Sequence, residues 1–97
     1  MSKQIKILGR IWKLRFVPNL SKSGDIDSPG TPRKEIRIWQ GLRGQERLDT
    51  IIHECLHGCG WHLDEPFVAR FATDLARILW QLGYREEEGS LGQEIDE

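Results

Sequence analysis

The chain has 97 residues, of which 38% are hydrophobic and 30% charged, and its formal net charge is -1. This length and mixture are typical of one small globular domain and exclude a fibrous or wholly disordered chain. The apolar runs are too short to cross a membrane, and the N-terminus lacks the features of a secretory signal. We therefore expect a cytoplasmic protein without a membrane partner.

The two halves of the chain carry opposite charge. Residues 1–47 contain eleven Lys/Arg against four Asp/Glu, whereas residues 48–97 contain three against eleven. A basic half could contact nucleic acid or an acidic partner. Oppositely charged halves also attract each other within one folded domain, and we favour this simpler interpretation.

Alternating apolar and polar residues dominate the first part of the chain. Residues 3–17 predict two short strands joined by a tight turn at Gly9-Arg10, and residues 35–39 predict a third strand. Between them, Pro18–Lys34 is rich in Pro, Gly, Ser and Asp, which predicts a long surface loop. The expected sheet is small, three-stranded and antiparallel.

The period changes to that of a helix after Gly41. The apolar stripe of the first predicted helix comprises Leu48, Ile51, Ile52, Cys55 and Cys59. We interpret both cysteines as small buried hydrophobic residues, because neighbouring turns of a helix do not suit a disulfide. Gly58 and Gly60 predict the end of this helix.

A second predicted helix begins near Asp64-Glu65-Pro66 and ends at Gly83. Its apolar stripe is Phe67/Val68, Phe71/Ala72, Leu75, Ile78/Leu79 and Leu82. The element order predicts an α+β domain over residues 1–85, in which the sheet is followed by two helices. Residues 86–97 are predicted to form an acidic, disordered tail.

The first helix carries the sequence His53-Glu54-Cys55-Leu56-His57. Two histidines four residues apart lie on one helix face and can bind the same ion, as in the HExxH motif. Zinc lowers the pKa of a bound water to about 7, and Glu54 is placed to take its proton as general base. Two solvated histidines are the simpler alternative. A structural zinc site that includes the cysteines is excluded, because they point away from the histidines.

A catalytic zinc site usually has three protein ligands. Glu65 is our candidate for the third ligand, because it lies on the next helix after a short return, and His62 is the alternative. The metzincin pattern would require histidine at position 63, which is Leu63. Asp64 is assigned to the helix N-cap instead.

Residues 3–85 resemble small phage-encoded metallopeptidases of the minimal zincin, gluzincin-like type. The resemblance rests on Phe16-Val17-Pro18, the loop from Gly24-Asp25-Ile26-Asp27 to Thr31-Pro32, the strand at 35–38, Ile52–His57, Asp64-Glu65 and Leu79–Arg85. It implies a minimal zincin-like fold, a zinc ion held by His53, His57 and Glu65, and Glu54 as general base. If the chain is phage-encoded, the host cytoplasm is its expected location.

These observations predict a monomeric zinc metallopeptidase that hydrolyses peptide bonds through a Glu-activated metal-bound water and acts on a peptide or protein substrate. In zincins generally, a strand beside the metal binds the substrate backbone, and Glu35–Trp39 is the candidate here. The alternative is a zinc-stabilised module associated with nucleic acid or with regulation, including a SprT-like protease acting on DNA-bound proteins. The basic N-terminal half motivates this alternative.

Overall fold

The computed structural model describes residues 2–86 and confirms the α+β class. It contains four strands and two helices within these residues. Their bounds are β1 Ser2–Ile7, β2 Arg10–Val17, β3 Gly24–Ile26, β4 Glu35–Trp39, α1 Gly44–Cys59 and α2 Glu65–Gln81. The strands form one sheet in the order β1-β2-β4-β3, with the helices after it in the chain.

The first two strands form the predicted antiparallel hairpin, with Ile5 opposite Trp12. The turn lies at Leu8-Gly9, one residue earlier than predicted, and both residues have positive φ angles of 48° and 80°. Two-residue hairpin turns with positive φ at both positions match the twist of the strands they join. Glycine accepts this conformation without cost, whereas Leu8 holds it with its side chain in solvent.

The prediction of a three-stranded antiparallel sheet is wrong, because the sheet has four strands and is mixed. The segment 18–34, predicted to be a loop, contains β3, whose three residues are too few to show an alternating pattern. The same segment returns the chain to a point beside Lys13, the fourth residue of β2, and β4 pairs with the second half of β2 in parallel. Parallel neighbours require a long connection of this kind, whereas β3 pairs with β4 antiparallel.

The two faces of the sheet differ in chemistry because side chains alternate along each strand. One face packs on α1 and forms the core, whose buried residues are Trp12, Leu14, Ile36, Ile38 and Leu42. The other face carries charged residues of β2, β3 and β4, linked by ion pairs centred on Arg37. The alternation in the sequence therefore assigned these strand faces correctly.

Helix α1 packs on the sheet with a face that includes the buried residues Glu54 and Gly58. A Cβ atom on Gly58 would lie 3.3 Å from both the Trp12 ring and Ile26 Cδ1, so glycine permits a close helix–sheet contact. Cys55 is partly buried as part of this layer, but Cys59 is exposed, contrary to our prediction. Cys59 is the last residue of α1 and directly follows Gly58, which packs on the sheet. Because successive helix residues are rotated by about 100°, its side chain turns away from that contact.

Helix α2 packs on α1 through small buried residues, Val68, Ala72 and Ala76. The other half of its predicted stripe is exposed: Phe67, Phe71, Ile78 and Leu82 lie 43–70% exposed. The sequence pattern predicted which residues form the apolar stripe, but not how much of it is covered. Among the strands and helices of residues 2–86, α2 contacts only α1, and one helix covers a narrow strip of its neighbour.

The predicted tail, 86–97, lies outside the described residues except for Glu86. The Glu86 carboxylate accepts a hydrogen bond from the backbone N–H of Gly44 and lies 3.6 Å from Arg47. A carboxylate at this position stabilises α1, because the first N–H groups of a helix have no partner within it. Neither helix of residues 2–86 has the length and hydropathy needed to cross a membrane.

Candidate metal centre

Helix α1 places His53 and His57 side by side, one turn apart, as their spacing predicts. Their Nε2 atoms are 3.3 Å apart and their ring centroids 5.0 Å apart. Both side chains are mostly buried, with 23% and 16% of their surface exposed. Two imidazole nitrogens this close, in rings fixed by the helix, form half of a tetrahedral coordination site.

Glu65 is the first residue of α2, and its carboxylate faces both histidines. Its Oε1 atom is 2.9 Å from His53 Nε2, and its Oε2 atom is 2.7 Å from His57 Nε2. Two local features fix the start of the helix here: the Asp64 side chain accepts a hydrogen bond from the Phe67 N–H, and proline occupies the first turn. The short return after α1 therefore delivers Glu65 to the histidine pair.

His53, His57 and Glu65 form a group that could hold a metal ion, since one ligand atom from each lies within 4.8 Å of the others. A tetrahedral ion with metal–nitrogen distances of about 2.0–2.1 Å requires a nitrogen–nitrogen separation of about 3.3 Å. The histidine pair already has this separation. The carboxylate lies at hydrogen-bonding distance, so a shift of a few tenths of an ångström would accommodate an ion.

The alternative third ligand, His62, is exposed on the connection between the helices and does not join the group. The cysteines are also outside it, as predicted. Burial raises the pKa of the Cys55 thiol, which disfavours the thiolate form. Among residues 2–86, the candidate metal-binding group therefore contains only two histidines and one glutamate.

Glu54 is the buried acidic residue of the domain core, with 7% of its surface exposed. It follows His53 on α1 and lines the same pocket as the histidines. Burial raises the pKa of its carboxyl group above the ordinary value, and the nearby carboxylates of Asp25 and Glu65 act in the same direction, while the histidines oppose them. A carboxylate with a raised pKa is a better proton acceptor near neutral pH.

An open pocket of about 550 Å³ surrounds this group. Its lining residues are Lys22, Gly24, Asp25, Ile26, His53, Glu54, His57, Trp61, Leu63 and Glu65. Our prediction gave Lys22, Trp61 and Leu63 no role at the site, and the β3 residues entered it only as part of the loop on which the family resemblance rests. Nothing in the local pattern of these residues distinguishes them from ordinary loop residues.

Strand β3, at the edge of the sheet, lies beside the site. The expectation that Glu35–Trp39 offers its backbone to a substrate is wrong, because β4 lies between β2 and β3 and both of its edges are paired. Trp39 does not line the pocket; it packs over Gly41. The unpaired edge next to the metal-binding group belongs to β3.

Arg37 holds β3 against β4 from the outer face of the sheet. Its guanidinium donates to Asp25 at 2.6 Å and to Asp27 at 2.7 Å, and it lies 3.2 Å from Glu35. The hydrogen bond from Arg37 lowers the pKa of Asp27, and the bond from Arg15 lowers the pKa of Glu35. A three-residue edge strand has few backbone bonds, so these ion pairs help fix its position beside the site.

Comparison with protein-family models, with curated proteins and with solved structures finds no significant match for this chain.

Proposed function

We propose that this protein is a zinc-dependent metallopeptidase that hydrolyses peptide bonds. The observation that carries the proposal is the grouping of His53, His57 and Glu65 beside the buried carboxylate of Glu54, at the open edge of the sheet. The resemblance of residues 3–85 to minimal zincins agrees with this arrangement. Two helices and a short sheet suffice to build it.

The ligand set favours zinc over magnesium and calcium. Two imidazole nitrogens with one carboxylate form a borderline-soft set, whereas magnesium and calcium prefer oxygen ligands alone. Three protein ligands leave a fourth position open, which is typical of catalytic rather than structural zinc sites. When bound, the ion supplies a Lewis acid and lowers the pKa of water.

Glu54 serves as the general base. Glu54 lines the same pocket as the three candidate ligands but does not belong to the ligand group. Its raised pKa suits it to accept a proton from the attacking water and to pass that proton to the departing amine. Because Glu54 is buried, few molecules of bulk water compete for hydrogen bonds to its carboxylate.

The free edge of β3 provides the binding site for the substrate backbone. An extended peptide that adds a strand to this edge exchanges main-chain hydrogen bonds with it, and its scissile carbonyl lies beside the metal-binding group. Binding of this kind recognises any extended chain through its backbone. The substrate class is therefore a peptide or an unfolded segment of a protein.

Metal content and hydrolysis test the proposal separately. We expect one zinc ion per wild-type chain by elemental analysis, sharply reduced in Glu65→Ala and unchanged in His62→Ala. Glu54→Gln is expected to retain zinc and to lose at least about 100-fold in peptide hydrolysis, the usual range for a general base. Zinc retained in Glu65→Ala would refute the ligand set, and full activity of Glu54→Gln would refute the mechanism.

A role in binding nucleic acid is the second candidate. Several basic residues of the N-terminal half form no salt bridge with any residue of 2–86: Lys3, Lys6, Lys13, Lys22, Arg33 and Lys34. Unpaired cations attract phosphate backbones, and the resulting affinity falls steeply with salt. Duplex DNA binding that weakens between 50 and 200 mM salt, on the order of 10-fold or more, would support this candidate. No binding at low salt would eliminate it.

A further inference from the structure

Two large apolar side chains lie exposed beside the metal-binding group. Trp61 is 41% exposed and Leu63 39% exposed, and both line the pocket that contains His53 and His57. They belong to the short connection between α1 and α2. Exposed apolar side chains that converge with polar groups in one pocket are typical of a ligand-binding surface.

The connection holds Leu63 in a fixed position. The Leu63 N–H donates to the carbonyl of Gly60 at 2.9 Å, which closes a turn. A Cβ atom on residue 60 would lie 2.8 Å from Leu63 Cγ, so the leucine occupies space that only glycine leaves open. Asp64 caps α2 directly after it. A surface that is ordered before binding pays less entropy when a ligand packs on it.

Ile26 extends this apolar surface onto the edge strand. It lines the same pocket and lies on the core face of β3, opposite the fully buried Ile36. Asp25, its neighbour, lies on the opposite, charged face. Successive side chains of a strand added to β3 alternate between these two faces. Those on the core face point towards Ile26, Trp61 and Leu63.

We infer that the site selects peptides with a large apolar side chain, such as Phe, Leu, Ile or Met, next to the cleaved bond, and that Ile26, Trp61 and Leu63 bind this side chain. The inference rests on the proposed function, which supplies the cleaved bond, and adds the substrate class. Burial of one large apolar side chain in a partly open pocket favours it over alanine by about 10-fold to 100-fold in kcat/KM.

Cleavage of a peptide mixture by the zinc-loaded protein, mapped by mass spectrometry, is the first measurement. Two quenched fluorescent peptides are then compared that differ only by Phe or Ala at the selected position. We expect the Phe peptide to be preferred at least 10-fold by the wild type. The Trp61→Ala and Leu63→Ala variants should reduce this ratio to below about 3, because they lose more activity on the Phe peptide than on the Ala peptide.

Trp39→Ala is the matched control, because Trp39 is 40% exposed but does not line the pocket. It should keep the wild-type ratio. Equal cleavage of the two peptides by the wild type, or an equal loss for both peptides in Trp61→Ala and Leu63→Ala, would overturn the inference and leave the proposed function standing.

Binding of the same two peptides to zinc-loaded Glu54→Gln separates the two proposals. Tighter binding of the Phe peptide than of the Ala peptide to Glu54→Gln would support the apolar subsite without any turnover, provided that the double variant Glu54→Gln/Trp61→Ala loses this preference. The same result together with no cleavage by the wild type would refute the peptidase and leave the subsite. Equal binding of both peptides would refute the subsite.

Discussion

Gly24, the first residue of β3, is buried where the edge strand crosses α1. A Cβ atom at this position would lie 2.9 Å from Thr50 Cγ2, 3.1 Å from the Arg37 carbonyl oxygen and 3.2 Å from Glu54 Cγ. The distance to Thr50 Cγ2 is shorter than real Cβ contacts. Two of the three neighbouring atoms can move little, since the Arg37 oxygen belongs to the backbone and Thr50 is β-branched. Gly24→Ala must therefore displace β3 from α1 and push the Glu54 side chain.

Overpacking of this kind costs about 1–3 kcal/mol of folding free energy. Alanine recovers about 0.4–1 kcal/mol because it lowers the entropy of the unfolded chain. Comparison with Gly30→Ala isolates the cost of overpacking. A Cβ on Gly30 meets no atom within 4 Å, and Gly30 lies in the same connection, so Gly30→Ala changes only the entropy of the unfolded chain. We expect urea unfolding to give a stability about 1–3 kcal/mol lower for Gly24→Ala than for Gly30→Ala.

The same variant should separate metal binding from hydrolysis. The three atoms nearest to the added Cβ belong to Thr50, Arg37 and Glu54 and not to the three candidate ligands, so zinc affinity is expected to stay within about threefold of wild type. If Glu54 is the general base, as proposed, its displacement by up to 1 Å can reduce turnover by as much as about 100-fold. Equal stability of the two glycine variants would refute the packing argument. Full hydrolysis by Gly24→Ala would show that the position of Glu54 is not critical.

Three further predictions concern stability. Asp64→Ala removes the α2 cap and should cost about 1 kcal/mol in urea unfolding, whereas Asp74→Ala, on the exposed face of the same helix, should cost less than about 0.5 kcal/mol. Asp27→Asn should cost about 1–2 kcal/mol at pH 7. Because Arg37 lowers the pKa of folded Asp27, the wild-type advantage is complete above the unfolded pKa of about 4 and is lost as the pH falls through the folded value. An advantage that does not decline as the pH is lowered below about 4 would contradict this. EDTA should lower the melting temperature of the zinc-loaded protein by roughly 10 °C or more, because it removes about 2.7 kcal/mol of stabilisation by the bound ion. The melting temperature of Glu65→Gln should stay nearly unchanged in EDTA.

Local sequence patterns determined the parts of this protein that depend on chain geometry alone. The alternation in β1, β2 and β4 and the 3.6-residue period in α1 and α2 predicted where these elements lie and which strand residues face the core. The spacing of His53 and His57 placed both imidazoles on one helix face, because four residues make about one turn. Glu65 was within reach of them because the connection before α2 is short.

Only the tertiary structure decided which surfaces meet. The parallel pairing of β4, the position of β3 at the edge, the burial of Glu54 and the exposure of Phe67 and Phe71 all depend on contacts between segments distant in the chain. A periodic pattern shows which residues share a face. It does not show which segment packs on that face or how much of the face is buried. The pocket beside the histidines also depends on contacts between distant segments. It is formed in part by a three-residue strand and a short connection, both of which are too short to show a periodic pattern.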